Sequence, residues 1–167
     1  MTARANPPAG LRPYLPADAP LLVEIFRASV TELTGEDYTA AQQEAWAAVA
    51  DNQAAFAARL ANQLTLVATV EGAPVAFAAL NGATIDMLYI HPAVAGRGVG
   101  AMLCEALEKL AAGRGVAKLT ADASDNALGF FTHRGYEAQR RNTVPRGGGW
   151  IANTTVTKEL AAAKDNP

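Results

Sequence analysis

Hydrophobic and polar positions follow two different periods along the chain, and these periods divide it into helical and strand-like segments. A short strand is predicted at 11–14, and apolar residues recur at helical spacing over 17–34. A second helix opens at Thr39, where Gln42 completes a capping-box pattern, and a third helical piece covers about 51–60. The first part of the chain is therefore predicted as one strand followed by three helices.

The middle of the chain changes to strand periodicity. Segments 64–70 and 75–80 are separated by the turn sequence EGAP. The Asn81-Gly82 pair is typical of a tight hairpin and leads into a third strand at 83–90. These three segments predict an antiparallel meander.

The last part of the chain alternates helices and strands. A long amphipathic run follows a glycine-rich loop and ends at Gly113. The remaining elements are predicted as a strand, a helix and two closing strands, at 117–122, 124–134, 136–141 and 149–157. The complete order predicts an α+β fold around one mixed sheet.

Composition restricts the classes of function. The 167 residues carry a net charge of −2 at pH 7, without the basic excess that a nucleic-acid groove normally brings. No apolar stretch reaches the ~18 residues of a membrane span, and the N-terminal sequence MTARANPPAG lacks the apolar core of a signal peptide. The single cysteine, Cys104, and two distant histidines argue against a disulfide and a zinc site. We therefore expect one cytoplasmic domain over 10–161, flexible tails at 1–9 and 162–167, and no metal, membrane or nucleic-acid partner.

The loop before the long helix has the composition of an anion site. Gly96, Gly98 and Gly100 alternate directly before the helix, whose first N–H groups lack partners and carry partial positive charge. A P-loop is excluded because Ala-Met follows Gly100 where Lys-Ser/Thr is required. A Rossmann loop is disfavoured, although the spacing to Ala101 fits, because the five residues 91–95 separate it from the preceding strand.

Two linked motifs resemble those of the GNAT superfamily of N-acetyltransferases. The pattern I-x-x-L-Y-I-H-P at 85–92, followed by x-G-R-G-V-G at 95–100 and an amphipathic helix, resembles its coenzyme A motif. The sequence A-x-x-F-F-x-x-x-G-Y at 127–136 resembles the next motif, A-x-x-F-Y-x-x-x-G-F. The resemblance covers about residues 10–160. It implies a mostly antiparallel sheet of six to seven strands, whose central strands splay apart to admit acetyl-CoA as co-substrate.

The resemblance also implies which residues would hold acetyl-CoA. Backbone amides at the helix start would bind the pyrophosphate, namely those of Gly96, Arg97, Gly98, Val99, Gly100 and Ala101. The strand before the loop would pair with the pantetheine arm through Leu88, Tyr89 and Ile90. Ser124 stands where the superfamily often has Asn, and Ala95 replaces the usual Gln or Arg at the loop start.

Phe131 replaces the tyrosine that often protonates the leaving thiolate in this superfamily. A thiol with a pKa of about 8.5 is still a tolerable leaving group near neutral pH. The harder requirement is a neutral nucleophile, since an aliphatic amine has a pKa of about 10.4. Phe131 therefore weakens the usual assignment of the acid without cancelling an acetyltransferase prediction.

Two carboxylates in the central strands are candidate catalytic groups. Asp86 shares its alternation parity with Leu88, and Asp122 lies two residues before Ser124 on the neighbouring strand. Charges in a central sheet need partners, so both are candidates for proton relay or for binding a cationic substrate. Solvent exposure or capping of a helix is the alternative for each.

The segment YTAAQQEAW at 38–46 resembles an uncharacterised bacterial GNAT subgroup and is expected near the acceptor. Tyr38 is a candidate to replace the missing acid. Trp46 is expected in the acceptor wall or the core, and Asn153 at the floor of the pocket.

The sequence thus predicts direct transfer of an acetyl group to a primary amine, with a small-molecule amine as the expected substrate. A protein N-terminus or lysine is the second choice. A non-catalytic coenzyme A-binding domain is the alternative from another class, and Phe131 and Ala95 favour it. The resemblance also permits a homodimer, because the final strands of this superfamily often pair across subunits.

Overall fold

The computed structural model describes residues 7–147 and 149–161, and this part of the chain forms seven strands and five helices. The strands are β1 (Ala9–Pro13), β2 (Leu64–Val70), β3 (Ala73–Asn81), β4 (Thr84–Ile90), β5 (Lys118–Ser124), β6 (Glu137–Arg146) and β7 (Gly149–Glu159). The helices are α1 (Ala19–Leu33), α2 (Ala40–Ala47), α3 (Gln53–Ala61), α4 (Val99–Gly113) and α5 (Asp125–His133). No helix among the described residues combines the length and apolar character that crossing a bilayer requires.

Most predicted elements are confirmed, with differences at their ends. Strand β2 has the predicted bounds, whereas β6 continues to Arg146, five residues beyond the predicted end. Strand β6 forms an edge of the sheet and all of its residues are exposed or half-buried, so hydrophobic alternation could not show its length. Strand β1 begins at Ala9, which therefore belongs to the sheet and not to the predicted tail. The predicted tail segments 1–6 and 162–167 lie outside the described residues.

One seven-stranded sheet has the order β1-β2-β3-β4-β5-β7-β6. Every neighbouring pair is antiparallel except β4 and β5, which are parallel. This parallel pair matches only at Thr84 with Thr120 and at Ile85 with Ala121. Beyond these residues the two strands diverge, which confirms the mixed sheet with splayed central strands.

A bulge interrupts β4 just where the splay begins. Ala79 of β3 pairs with Met87 and Leu80 pairs with Ile85, so Asp86 is an extra residue without a partner on β3. An extra residue reverses the alternation of side chains between the two faces of a sheet. Asp86 therefore faces the helix α3 side, opposite to Leu88, and the prediction that the two share a face is wrong.

Two hydrophobic cores lie on opposite faces of the sheet. Helices α4 and α5 cover one face, where Leu103, Leu107 and Phe131 are buried. Helices α1 and α3 cover the other face through residues such as Phe26 and Phe56. The second core covers strands β2 to β4, which leaves the same face of β5, β7 and β6 free to form a cavity wall.

Glu108 of α4 is at the centre of a polar cluster on the α5 side of the sheet. Its carboxylate accepts hydrogen bonds from Tyr136 Oη at 2.9 Å, Lys158 Nζ at 3.1 Å, Arg134 Nη2 at 3.3 Å and Cys104 Sγ at 3.4 Å. Burial alone would raise the pKa of Glu108, but the hydrogen bonds and the charge of Lys158 outweigh burial and lower it. The carboxylate therefore stays ionised and ties α4 to the end of α5 and to β7.

We expect Glu108→Gln to lower the free energy of unfolding by about 2 kcal/mol at pH 7, because two cations lose their counter-charge. Since the pKa is lowered in the folded state, this stabilisation is present above the ordinary glutamate pKa and is lost as the pH falls through the folded value. Urea denaturation at pH 7 and at pH 3.5 measures the effect. Glu105→Gln on the same helix, where Glu105 is exposed beside Lys109, is the matched control. A loss of equal size at both pH values would contradict the prediction.

Candidate functional site

The glycine loop has the backbone conformation that an anion site at a helix start requires. Gly96 and Gly98 have φ angles of +78° and +81°, a region that side chains other than glycine rarely occupy. Gly98 caps α4, and the amides of the following residues, Val99, Gly100 and Ala101, have no acceptor within the helix. These three amides are therefore available to a bound phosphate group.

Gly100 has a packing role. A Cβ atom there would stand 3.5 Å from Ile90 Cδ1 and from the ring of Phe130. The start of α4 consequently lies close against the end of β4 and against α5.

The backbone N–H of Arg97 is not free, although the sequence predicted it as one of the phosphate donors. Its backbone N–H donates to the carbonyl of Val94 at 3.3 Å, and its side chain is exposed. The prediction that its amide is one of the phosphate donors is therefore not supported, because that amide already closes a turn.

The gap between β4 and β5 leads away from this loop. Leu88, Tyr89 and Ile90 pair with β3 on one side only, so the other edge of their backbone faces the gap. On the opposite side the lining residues Ala121, Ala123 and Ala127 are small. A free strand edge opposite alanine side chains leaves room for an extended chain such as pantetheine.

Phe131 also lines the gap. Only 4% of its surface is exposed, and its ring stacks edge-on against Tyr136 with 5.1 Å between ring centroids. Phe131 thus forms an apolar wall at the gap and offers no proton.

A second cavity, which we call the acceptor cavity, adjoins the gap on the α1–α2 side of the sheet and has a volume of about 230 Å³. Its walls combine polar and charged side chains with aromatic and aliphatic ones, among them Phe26, Tyr38, Val49, Met87, Val144 and Ile151. Six residues line both the gap and the acceptor cavity: Trp46, Asp86, Met87, Tyr89, Asp122 and Ser124. The two spaces therefore meet at the two carboxylates that the sequence singled out.

Asp86 is held by two side chains from the α3 region. Arg59 donates from Nε at 2.7 Å and from Nη2 at 2.8 Å, and Gln63 donates from Nε2 at 2.8 Å. Burial would raise the pKa of Asp86, but these hydrogen bonds outweigh it and lower the pKa. Asp86 therefore remains charged and is a weaker proton acceptor than an unpaired aspartate.

Asp122 accepts fewer hydrogen bonds than Asp86. It is exposed at the cavity edge, and its Oδ1 accepts a hydrogen bond from Thr155 Oγ1 at 2.6 Å. Thr155 in turn accepts from Asn142 Nδ2 at 2.8 Å. This network fixes one carboxylate oxygen of Asp122, while Oδ2 accepts no hydrogen bond from the described residues.

Asn153 and Ser124 complete the floor beside Asp122. Their backbones pair across β5 and β7, and Asn153 Oδ1 accepts from Asn142 Nδ2 at 2.9 Å. Ser124 is the residue before α5 and lines both the gap and the cavity. Both residues line the acceptor cavity beside Asp122, and their roles in binding cofactor and substrate stay predictions.

Tyr38 bridges the acceptor side and α5. Its hydroxyl donates to the carbonyl of Ala152 at 2.7 Å and accepts from the backbone N–H of Asp125, the first residue of α5, at 2.8 Å. Burial raises the pKa of Tyr38, and the hydrogen bond from Asp125 only partly offsets this. A hydroxyl engaged on both sides is suited to holding elements together, and we assign Tyr38 to positioning and not to proton donation.

Trp46 and Tyr89 form one corner of the acceptor cavity. Trp46 Nε1 donates to Tyr89 Oη at 3.3 Å, and the Tyr89 ring stacks edge-on against Phe26 with 4.7 Å between centroids. The sequence pointed only to the backbone of Tyr89, whereas its side chain also belongs to the wall. Burial raises the pKa of Tyr89.

Sequence reasoning missed three polar residues of the site. Arg59 and Gln63 bind Asp86, and Arg146 of β6 lines the acceptor cavity. Arg59 lies 27 positions from Asp86 in the sequence, and nothing in the pattern of α3 distinguishes it from an ordinary exposed arginine. No sequence signal marked Arg146 either, because its strand was predicted to end earlier.

Comparison with known proteins agrees with this fold and identifies the family. The profile of the acetyltransferase (GNAT) domain matches residues 34–154. The uncharacterized N-acetyltransferase YafP of Escherichia coli K12 is 32% identical over 143 residues, which cover 86% of this chain and 91% of that protein. The chain therefore belongs to the GNAT family of acetyltransferases.

Solved structures give the same assignment. A GCN5-related N-acetyltransferase from Rhodopseudomonas palustris superposes with a TM-score of 0.90 at 56% identity, over 96% of this chain and 99% of that one. YncA from Salmonella typhimurium, a structure with bound acetyl-CoA, shares the fold with a TM-score of 0.65 at 22% identity, over 95% and 99% of the two chains. Acetyl-CoA is the co-substrate of this family, and the free amides of α4 and the gap fit it.

Proposed function

We propose that the chain transfers the acetyl group of acetyl-CoA directly to the primary amine of a small molecule. One observation carries this proposal: the gap and the acceptor cavity meet at Asp86 and Asp122. A thioester entering along β4 and an amine entering from the cavity would reach each other there. Bound acetyl-CoA supplies the activated acetyl group, and the chain supplies positioning and a proton acceptor.

In this proposal Asp122 accepts the proton of the amine. Asp122 lines the junction, and the hydrogen bond from Thr155 fixes the orientation of the carboxylate. Asp86 stays ionised in its ion pair with Arg59, so it lines the junction as a fixed polar group and does not take the proton. Phe131 provides no acid, so the leaving thiolate takes its proton from water.

The size of the acceptor cavity favours a small amine. A volume of about 230 Å³ between α2 and the β6–β7 hairpin suits a compact molecule better than an extended protein tail. The aromatic walls also suit a flat or apolar amine.

Transfer to a panel of amines tests the proposal. Release of free coenzyme A and the mass of the product are followed with small aromatic and aliphatic primary amines, and in parallel with peptides that have a free N-terminus or a lysine. We expect N-acetylated product with at least one small amine and none with its N,N-dimethyl form, which is the control. Acetylation of the peptides alone would establish a protein acetyltransferase instead. Tight acetyl-CoA binding without turnover of either group would establish a non-catalytic domain.

A further inference from the structure

The charges that line the acceptor cavity do not all compensate one another within the chain. Two guanidinium groups and two carboxylates line it, those of Arg59, Arg146, Asp86 and Asp122. Arg59 and Asp86 form an ion pair at 2.7 Å and neutralise each other. What remains is a carboxylate at the junction with the gap, Asp122, and a guanidinium on β6, Arg146.

Arg146 has no carboxylate partner among the described residues. Its guanidinium donates to the neighbouring carbonyl of Pro145 at 3.1 Å and forms no ion pair in this part of the chain. Its positive charge nevertheless acts inside the cavity, because it is one of the influences that lower the pKa of Tyr89 against the larger effect of burial. Arg146 is thus a cation at the cavity that has no counter-charge within residues 7–147 and 149–161.

The hairpin that carries Arg146 is fixed to α2. Gln42 Nε2 donates to the carbonyl of Trp150 at 2.8 Å, and Tyr38 Oη donates to the carbonyl of Ala152 at 2.7 Å. Gly147, directly after Arg146, lies so close to α2 that a Cβ atom there would stand 3.0 Å from Ala45 Cβ. The backbone next to Arg146 is therefore held over the cavity, as a binding residue requires.

We propose that the acceptor carries a carboxylate at the end remote from its reacting amine, and that Arg146 binds this carboxylate. The inference rests on the proposed function, because it assigns the amine to the junction near Asp122. A guanidinium binds carboxylates through charge-assisted hydrogen bonds, and Arg146 is the cavity-lining cation that no carboxylate of the described residues compensates.

The sheet register indicates an elongated acceptor. Asp122 pairs with Thr155 of β7 and Arg146 pairs with Gly149, so the two residues are six positions apart along the same strand. Six residues of a strand span about 20 Å. Side chains directed toward each other shorten this distance, but not to the two-bond spacing between amine and carboxylate in an α-amino acid. The substrate class is therefore an amino acid whose amine and carboxylate lie at opposite ends of an apolar or aromatic body.

A matched pair of amines tests the inference on the full chain. 4-(Aminomethyl)benzoate carries its amine and carboxylate at opposite ends of a ring, and 4-methylbenzylamine replaces the carboxylate with a methyl group. We expect kcat/KM to be about tenfold or more higher for the carboxylate, as one charge-assisted hydrogen bond allows. L-Phenylalanine, whose two groups are adjacent, should show no such advantage over phenethylamine.

Substitution of Arg146 identifies the binding group. In Arg146→Gln the ratio of the two kcat/KM values should fall toward one, and in Arg146→Glu it should fall below one. Arg114→Gln removes the same charge from an exposed residue at the end of α4, on the other face of the sheet, and should keep the wild-type ratio. Unchanged acetyl-CoA affinity shows that each variant is folded. Equal kcat/KM values in the wild type, or a preference that survives Arg146→Gln, would overturn the inference.

A binding measurement distinguishes failure of this inference from failure of the proposed function. If neither amine is acetylated, calorimetry measures binding of 4-(aminomethyl)benzoate to the protein saturated with coenzyme A. Binding that is lost in Arg146→Gln and kept in Arg114→Gln would support the carboxylate site although the proposed transfer has failed. No binding, or binding independent of Arg146, would overturn the site as well.

Discussion

Replacing Gly98 with glutamate is expected to lower the affinity for acetyl-CoA at least about 100-fold. Gly98 caps α4 at a φ angle of +81°, next to the three amides without helical acceptors. A glutamate there places a carboxylate where the pyrophosphate would bind, and it strains a backbone that L-residues avoid. Isothermal titration calorimetry with acetyl-CoA measures the loss.

Gly115→Glu is the matched control for this variant. Gly115 has a φ angle of +86°, and a Cβ atom there would meet nothing within 4 Å, as at Gly98. It lies beyond the opposite end of α4, so it reproduces the strain and the added charge without touching the loop. Full affinity in Gly98→Glu, or an equal loss in both variants, would show that the loop does not bind the co-substrate.

Replacing Asp122 with asparagine is expected to lower kcat by about 10²–10⁴-fold, the usual contribution of a positioned general base. The amide oxygen of asparagine still accepts the hydrogen bond from Thr155, so the network behind position 122 stays intact. What disappears is the group that takes the proton from the amine. Steady-state kinetics with the best amine of the panel measures kcat and KM separately.

Variants of two other aspartates serve as comparisons for Asp122→Asn. Asp51 forms an exposed ion pair with Arg27 outside the site, so Asp51→Asn should keep the wild-type kcat. Asp86 is already paired with Arg59, so Asp86→Asn should cost less in kcat than Asp122→Asn. A larger loss at Asp86 would reverse the two assigned roles.

The fold could be predicted largely because its elements differ in hydrophobic period. Strand β2 agrees with its short apolar run, since it is buried on both faces, and α4 agrees with its helical pattern, since it has one buried face. The pattern failed at β6, an edge strand whose polar residues gave no alternation. It also failed at Asp86, since a bulge depends on how β3 and β4 pair and leaves no mark in the sequence of either strand.

The functional site, like the fold, could be predicted from the sequence only in part. The loop expected to bind the cofactor is one continuous stretch of the chain. Its glycines mark positions of unusual backbone conformation, so it could be predicted from the sequence. The acceptor half of the site is assembled from residues far apart in the chain, such as Arg59, Asp86 and Arg146. Arg59 and Arg146 have ordinary sequence contexts, whereas Asp86 could be predicted as a candidate from its place in a central strand. Only the folded sheet brings them to one cavity and shows which charges compensate each other.

The bulge in β4 also limits how this chain can change in length. Because of the extra residue, Ile85 and Leu88 pack toward α4, while Met87 and Tyr89 face the acceptor side. Deleting residue 86 would remove the bulge, and these four side chains would then alternate regularly on the faces that they already occupy. Deleting Leu88 would instead turn Met87 or Tyr89 to the opposite face, so libraries that diversify acceptor specificity can shorten β4 at position 86 but not further along the strand.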